Sequence, residues 1–139
     1  MRPIPVGAKG TYMLRVMPAH LANQFKDVSL PKVFATPMMV TAMENAALNA
    51  VRDYLDPGES AVGTLVNVRH IAATPVGHRV TAEAVVTKVD GRRIEFTVTA
   101  RDEIEEMQQG RVTIMPQGLD AQLSRGDLAD LLAFLQSLR

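Results

Sequence analysis

A long helix that is apolar over most of its circumference is the feature that most limits how this chain can fold. The stretch FATPMMVTAMENAALNAVRDY occupies residues 34–54. Thr36 is a residue type favoured at a helix N-cap, Pro37 suits the first helical position, and Asp-Pro-Gly at 56–58 ends the run. We therefore predict a helix from Pro37 to Tyr54. Because so much of its surface is apolar, a sheet must wrap around it.

The rest of the chain supplies strands for that sheet. TYMLRV at 11–16 predicts a first strand, and residues 17–33 predict a loop or a short helix. From residue 62 the period changes to two, with Val62, Thr64, Val66, Val68 and His70 on one face and Gly63, Leu65, Asn67 and Arg69 on the other. Further strands are predicted at 78–89, after an Asp-Gly hairpin signal at residues 90–91, and at 104–115.

The four strands from residue 62 onward predict an antiparallel meander. Together with the helix they predict an α+β fold of the hotdog type, in which a curved antiparallel sheet surrounds a long central helix. Residues 1–115 form this domain. Residues 116–139 form a tail that contains an amphipathic helix at 123–139. Its apolar residues share one stripe, and we expect the helix to dock on the domain or on a partner subunit. They are Leu128, Leu131, Leu132, Leu135 and Leu138.

Composition excludes several classes of function. The chain has 139 residues, and its 15 Lys and Arg residues balance 15 Asp and Glu residues, so no strong field attracts nucleic acid or anionic lipid. Only 4% of residues are aromatic, which argues against base stacking, and no cysteine is present for a thiol nucleophile or a cysteine-based zinc site. No stretch reaches membrane-spanning length. We expect a cytoplasmic protein that binds neither nucleic acid nor a membrane.

Glu44 is a lone carboxylate on the apolar side of the predicted helix. Its helical neighbours are Val40, Leu48 and Val51. Removing its charge from water costs several kcal/mol unless the group is paired, protonated or open to a cavity. Two interpretations remain open: a boundary glutamate that reaches water or an arginine, or a functional carboxylate that faces a pocket.

Thr36 and His70 have similar pairs of interpretations. The Thr36 hydroxyl suits helix capping, and His70 on an apolar strand face suits a buried, satisfied histidine. Together with Glu44, however, they would place a hydroxyl, an imidazole and a carboxylate near one helix N-terminal region, which is suited to acyl chemistry. His70 and His78 flank a turn but have no third ligand at a sensible spacing, so we expect no metal site.

Three stretches of the chain carry a family resemblance. They are FATPMMVTAMENAA at 34–47, LDPGESAVGTLVNVRHIAATPVG at 55–77 and KVDGRRIEFTVTA at 88–100. A threonine before the helix is followed by a glutamate eight residues later and by a histidine twenty-six residues after that. This combined spacing resembles the fluoroacetyl-CoA thioesterase-like family of hotdog proteins over roughly residues 5–110.

The resemblance implies an acyl-CoA thioesterase whose catalytic residues are Thr36, Glu44 and His70, with Gly63 approaching the substrate. It implies that Glu44 attacks the thioester carbonyl or activates a water molecule, while Thr36 and His70 position the reacting groups. It also implies a homodimer, possibly assembled further, with its sites at the subunit interface. Coenzyme A enters only as part of the substrate, so no separate cofactor is expected.

Departures from the family pattern bear on the substrate. Val112 and Ile114 stand where the family usually has a His and an Arg, and that Arg helps to hold CoA. Arg111 is therefore the remaining candidate for substrate binding, although its side chain is expected on the opposite face of the sheet. Leu30 occupies the region of the phenylalanine-rich lid. A short or medium acyl group other than fluoroacetyl is therefore expected. The alternatives are a non-catalytic acyl-CoA or small-ligand binding dimer, favoured by the altered last strand, and a hotdog hydratase, for which no suitable Asp–His pair is found.

Overall fold

One antiparallel sheet and one long helix make up most of the protein. The structure, a computed structural model, describes residues 1–103 and 107–118. The strands are β1 (Lys9–Arg15), β2 (Glu59–Arg69), β3 (Arg79–Asp90), β4 (Arg93–Asp102) and β5 (Met107–Gly118). The helices are α1 (Ala22–Phe25) and α2 (Thr36–Val51), with short 3-10 helices at Pro18–His20 and Arg52–Tyr54. The predicted α+β hotdog fold is confirmed.

The predicted C-terminal helix at 123–139 lies outside the described residues. Strand β5 continues to Gly118, into the segment predicted as a tail. No helix among the described residues is long and apolar enough to cross a membrane.

The strand order in the sheet is β1-β3-β4-β5-β2. The predicted meander holds for β3, β4 and β5, but the expectation that β2 continues it is wrong, because β2 pairs with β5 at the far edge. The segment after β2 does not form a hairpin. It is held instead against the chain that leads into α2, where the Thr74 carbonyl accepts a hydrogen bond from the Phe34 amide at 2.8 Å. Strand β2 is consequently an edge strand.

Small residues let the sheet approach α2 closely. Four alanines of the helix are fully or almost fully buried: Ala42, Ala46, Ala47 and Ala50. Gly10 of β1 lies against this face, and a Cβ atom built on Gly10 would lie only 2.7 Å from the Ala50 Cα. The helix therefore sits inside the curve of the sheet at a distance that side chains larger than these would not permit.

Strands β3 and β4 follow the predicted alternation. Ile94, Phe96 and Val98 are buried beneath α2, and the residues between them lie on the other face. The Asp-Gly hairpin is confirmed, but its turn is shifted by one residue. Asp90 pairs with Arg93, so the turn consists of Gly91 and Arg92, with Gly91 at φ +60°.

Strand β2 does not alternate as predicted. Gly63 pairs with Ile114 and Leu65 pairs with Thr113, so Thr64 is an extra residue in a β-bulge. The bulge returns Gly63 to the helix-facing side, the same side as Val66. The prediction that placed Gly63 on the opposite face from Val66 and His70 is therefore wrong, because it counted residues through an irregularity.

Candidate active site

The start of α2 brings a hydroxyl against an imidazole. Thr36 is the first residue of the helix, and the residue at the N-cap is Ala35, which makes no side-chain capping bond. The prediction that Thr36 caps the helix is therefore wrong. Its Oγ1 lies 2.9 Å from Nδ1 of His70, and a tertiary contact replaces the local one. In the neutral tautomer that carries its proton on Nε2, Nδ1 accepts a hydrogen bond from the Thr36 hydroxyl group.

His70 follows directly after β2 and is half-buried. Burial lowers the pKa of its imidazole below the ordinary value of 6.5; a hydrogen bond to the backbone of Ala72 opposes that shift, and the charge of Lys26 adds to it. The ring is therefore mostly neutral at neutral pH and can accept a proton. Lys26 lies just after α1, in a segment where sequence patterns indicated no site.

Glu44 is half-buried on the inner side of α2. Burial raises the pKa of its carboxyl group above the ordinary value of 4.5. The interpretation in which it pairs with an arginine is not met within residues 1–103 and 107–118, where no side chain or amide donates to it. It faces the backbone of Gly63 instead, and a Cβ atom built on Gly63 would lie 2.8 Å from Glu44 Oε2.

The predicted site residues thus form two pairs. Thr36 contacts His70, and Glu44 contacts Gly63. Thr36 and Glu44 are eight residues apart on one helix, a rise of about 12 Å along its axis. This spacing separates the two pairs within one chain.

A small cavity adjoins His70 on the inner side of the sheet. It is partly open and has room for little more than one water molecule. Apolar and polar side chains contribute equally to its wall, and the polar residues include Thr74 and Asp102, both buried. The Asp102 carboxylate lies 3.5 Å from Nδ1 of His78. Sequence patterns did not indicate Thr74 or Asp102, since each is brought to His70 only by the tertiary fold.

Residues 1–103 and 107–118 contain no cluster of three or more His, Cys, Asp or Glu side chains that could hold a metal ion.

A family model described as fluoroacetyl-CoA-specific thioesterase, FlK, matches residues 16–115 of this chain. That range contains both residue pairs of the site. The chain belongs to the FlK family.

Relatives of known structure and sequence agree with this FlK assignment. The chain is 46% identical over 80 residues to the fluoroacetyl-CoA thioesterase of Streptantibioticus cattleyicolor, and this match spans 58% of each chain. It is similar to a mutant of FlK crystallised with fluoroacetate and CoA, with a TM-score of 0.79, 35% identity, and 84% of this chain and 98% of that chain covered. A thioesterase superfamily member from Thermus thermophilus gives a TM-score of 0.79 at 28% identity, covering 99% and 96% of the two chains.

Arg111 does not join the other site residues of this FlK family member. It is exposed on the sheet face that points away from α2, as its alternation with Val112 predicted. It pairs with Asn67 and Thr97, and with Arg69 it lines a wide, open cleft. Val112 and Ile114 are buried under the helix, so the inner face of β5 offers no cation there.

Proposed function

We propose that this protein hydrolyses the thioester bond of an acyl-CoA with a short or medium acyl group, using Thr36, His70 and Glu44. The observation that carries the proposal is the half-buried Glu44 carboxylate, which has a raised pKa and faces the backbone of Gly63 on the helix that also carries the Thr36–His70 pair. Membership of the FlK family and similarity to a family member that binds fluoroacetate and CoA support it.

Glu44 is the general base of the proposed mechanism. Its carboxylate accepts a proton from water while the water oxygen bonds to the thioester carbonyl carbon; the C–S bond then breaks, and the CoA thiolate takes up the proton. The raised pKa makes the carboxylate a stronger base than an exposed glutamate. Attack by Glu44 itself would give a mixed anhydride instead. A single turnover in ¹⁸O-labelled water separates the two routes, because label enters the Glu44 carboxylate only when an anhydride forms and water opens it at the Glu44 carboxyl carbon.

In the proposed mechanism, Thr36 and His70 act on the side of the thioester carbonyl group that is opposite to Glu44. In the first turn of α2, Pro37 has no N–H and the Met38 amide donates to the Ala35 carbonyl, so the Thr36 N–H and the positive end of the helix dipole are the groups that favour the negative charge developing on the carbonyl oxygen. The single hydroxyl proton of Thr36 goes to Nδ1 of neutral His70, so the hydroxyl positions the ring at the same end of α2 and does not itself donate to the carbonyl oxygen. This arrangement requires His70 to stay unprotonated, in agreement with its lowered pKa.

A second copy of the chain completes the site. Because the two residue pairs are separated by about 12 Å along one helix, we infer that Glu44 and Gly63 of one protomer act with Thr36 and His70 of the other. Edge strand β2 carries Gly63 and leads to His70, and it exposes Leu65, so isologous pairing of two β2 strands would cover the edge and bring the pairs together.

Mixed dimers test this arrangement. Glu44→Gln and Thr36→Val are each expected to be inactive, whereas mixing and refolding them should restore roughly a quarter of wild-type activity, since half of the dimers are hybrids and each hybrid holds one intact site. No recovery, with hybrid formation verified by mass spectrometry, would place each site within one chain.

A short acyl group is proposed because the cavity beside His70 is small in a single chain and half of its lining residues are apolar. Thiol release from a panel of acyl-CoAs, from acetyl and fluoroacetyl to hexanoyl and phenylacetyl, would identify the group. Glu44→Gln is expected to lower kcat about 10²- to 10⁴-fold, as for loss of a general base.

The second candidate is a non-catalytic acyl-CoA binding dimer. It is favoured by β5, where Val112 and Ile114 are buried and supply no charged group. Thermal stabilisation by CoA thioesters with no thiol release on any substrate would support it. Turnover that disappears in Glu44→Gln would exclude it.

Arg111 is the proposed contact for the phosphates of CoA. The long pantetheine arm separates the phosphates from the thioester, so their site need not lie on the inner face, and Arg69 beside Arg111 adds a second cation. A cytoplasmic location and assembly beyond the dimer stay predictions from the sequence.

A further inference from the structure

The bulge in β2 lies directly beside the site, and its extra residue is Thr64. The β2–β5 ladder is regular on either side of it, from Glu59 with Gly118 to Gly63 with Ile114, and from Leu65 with Thr113 to Arg69 with Gln109. The Thr64 hydroxyl makes a long contact of 3.5 Å to the Thr113 carbonyl. One inserted residue therefore separates two ordinary stretches of strand.

The insertion determines what faces Glu44. Ala61 and Gly63 on one side of the bulge, and Val66 and Val68 on the other, all turn towards α2. A bulge bends its strand and increases the local twist, which re-aims the residues next to it. Here the residue beside the bulge is Gly63, and the absence of a side chain leaves the space that the Glu44 carboxylate occupies.

We propose that Thr64 is a positioning residue, whose insertion into β2 sets the Gly63 backbone against the Glu44 carboxylate and so forms the niche in which that carboxylate works. The catalytic part of this inference rests on the proposed function; the positioning part does not. Thr64 itself need not contact substrate, and its hydroxyl is secondary to its presence as an extra residue.

Deletion of Thr64 is the direct test. The pairs Gly63–Ile114 and Leu65–Thr113 are already adjacent on β5, so the deletion leaves a regular ladder and changes no other pairing. We expect a folded protein in which the straightened strand draws away from Glu44 and admits water. The pKa of Glu44, measured by NMR with ¹³C-labelled glutamate, should fall towards 4.5, and kcat should fall about 10- to 100-fold with little change in KM.

A second bulge in the same sheet provides a matched control. Thr87 is the extra residue in β3, between the pairs Val86–Phe96 and Lys88–Glu95, and its hydroxyl donates to the Glu95 carbonyl at 3.2 Å. Deletion of Thr87 removes a bulge of the same kind away from Glu44, and it should leave the pKa of Glu44 and kcat unchanged. Thr64→Val keeps the inserted residue and should retain activity within about threefold.

Gly63→Ala provides an independent variant should the deletion fail to fold. Its new methyl group would lie 2.8 Å from Oε2, so the carboxylate must move out of the niche. The pKa of Glu44 should again fall. The inference would be overturned if the folded Thr64 deletion variant, or folded Gly63→Ala, kept both the wild-type pKa of Glu44 and the wild-type kcat. Absence of turnover in the wild type would instead overturn the proposed function, while the pKa comparison would still decide the role of Thr64.

Discussion

Replacing Thr36 with valine removes one hydroxyl group with little change in shape. That hydroxyl lies 2.9 Å from Nδ1 of His70 and does not cap α2, whose N-cap residue is Ala35. The substitution therefore leaves the helix backbone intact and leaves a half-buried ring nitrogen without its partner. We expect the free energy of unfolding to fall by about 0.5–1.5 kcal/mol, the net contribution of one such hydrogen bond.

A stability loss of this size does not by itself identify the partner, because removing an N-cap costs about as much. A double-mutant cycle does. Urea unfolding of wild type, Thr36→Val, His70→Leu and the double variant, at mildly alkaline pH where the imidazole is neutral, should give a coupling energy of about 0.5–1.5 kcal/mol. If Thr36 acted as a helix cap, the two losses would simply add.

Kinetic measurements on the same variants give a second test of the Thr36–His70 pair. Thr36→Val and His70→Leu should each lower kcat, and the double variant should be little worse than the more damaged single variant, since residues that act as a unit are not additive. Thr36→Ser retains the hydroxyl and should keep most of the activity. Additive stability losses, or full activity in Thr36→Val, would refute the assignment of a functional Thr36–His70 pair.

Three further predictions concern other parts of the molecule. Glu44→Gln should raise the free energy of unfolding at neutral pH, by about 1.4 kcal/mol for each unit by which the Glu44 pKa is raised, and urea titrations should show the gain vanish below pH 4.5. Gly10→Ala should cost about 3 kcal/mol or more in urea unfolding, because its Cβ has no room beside Ala50; a smaller loss would mean that β1 can move. Arg111→Gln should raise KM for acyl-CoA with kcat unchanged, and it should not affect an acyl-pantetheine that lacks the nucleotide phosphates.

Periodicity predicted the elements whose burial pattern is regular. The apolar run of α2 and the strict alternation of Ile94, Phe96 and Val98 each reflect one continuous surface in contact with the core, and such surfaces leave a period in the sequence. The strand order left no such trace. Strands that are neighbours in sequence usually pair. Here, however, residues 70–78 carry the chain from β2 at one edge of the sheet to β3 near the opposite edge, and the Thr74–Phe34 hydrogen bond holds this segment in place.

The composition of the site could be predicted more fully than its geometry. Thr36 was predicted as a cap because capping preference is local, whereas its actual partner lies 34 residues away. The face of Gly63 was predicted wrongly because the bulge at Thr64 changes the count of residues without changing their hydrophobicity. In both cases the deciding contact is tertiary, and the residues themselves have ordinary local roles.

The position of Glu44 is itself an argument for function. A boundary glutamate that reached water would keep an ordinary pKa and cost the fold nothing, but this carboxylate is half-buried, and the described residues supply it with no donor. Its folded-state pKa lies above that of the unfolded chain, so its contribution to stability is favourable below pH 4.5 and is lost as pH rises through the folded pKa. The burial that reduces stability at neutral pH is the same burial that makes the group a stronger base. A change that exposes Glu44 would therefore raise stability at neutral pH and weaken the base. The proposed thioester hydrolysis gives a reason to retain such a residue, whereas a purely structural helix gives none.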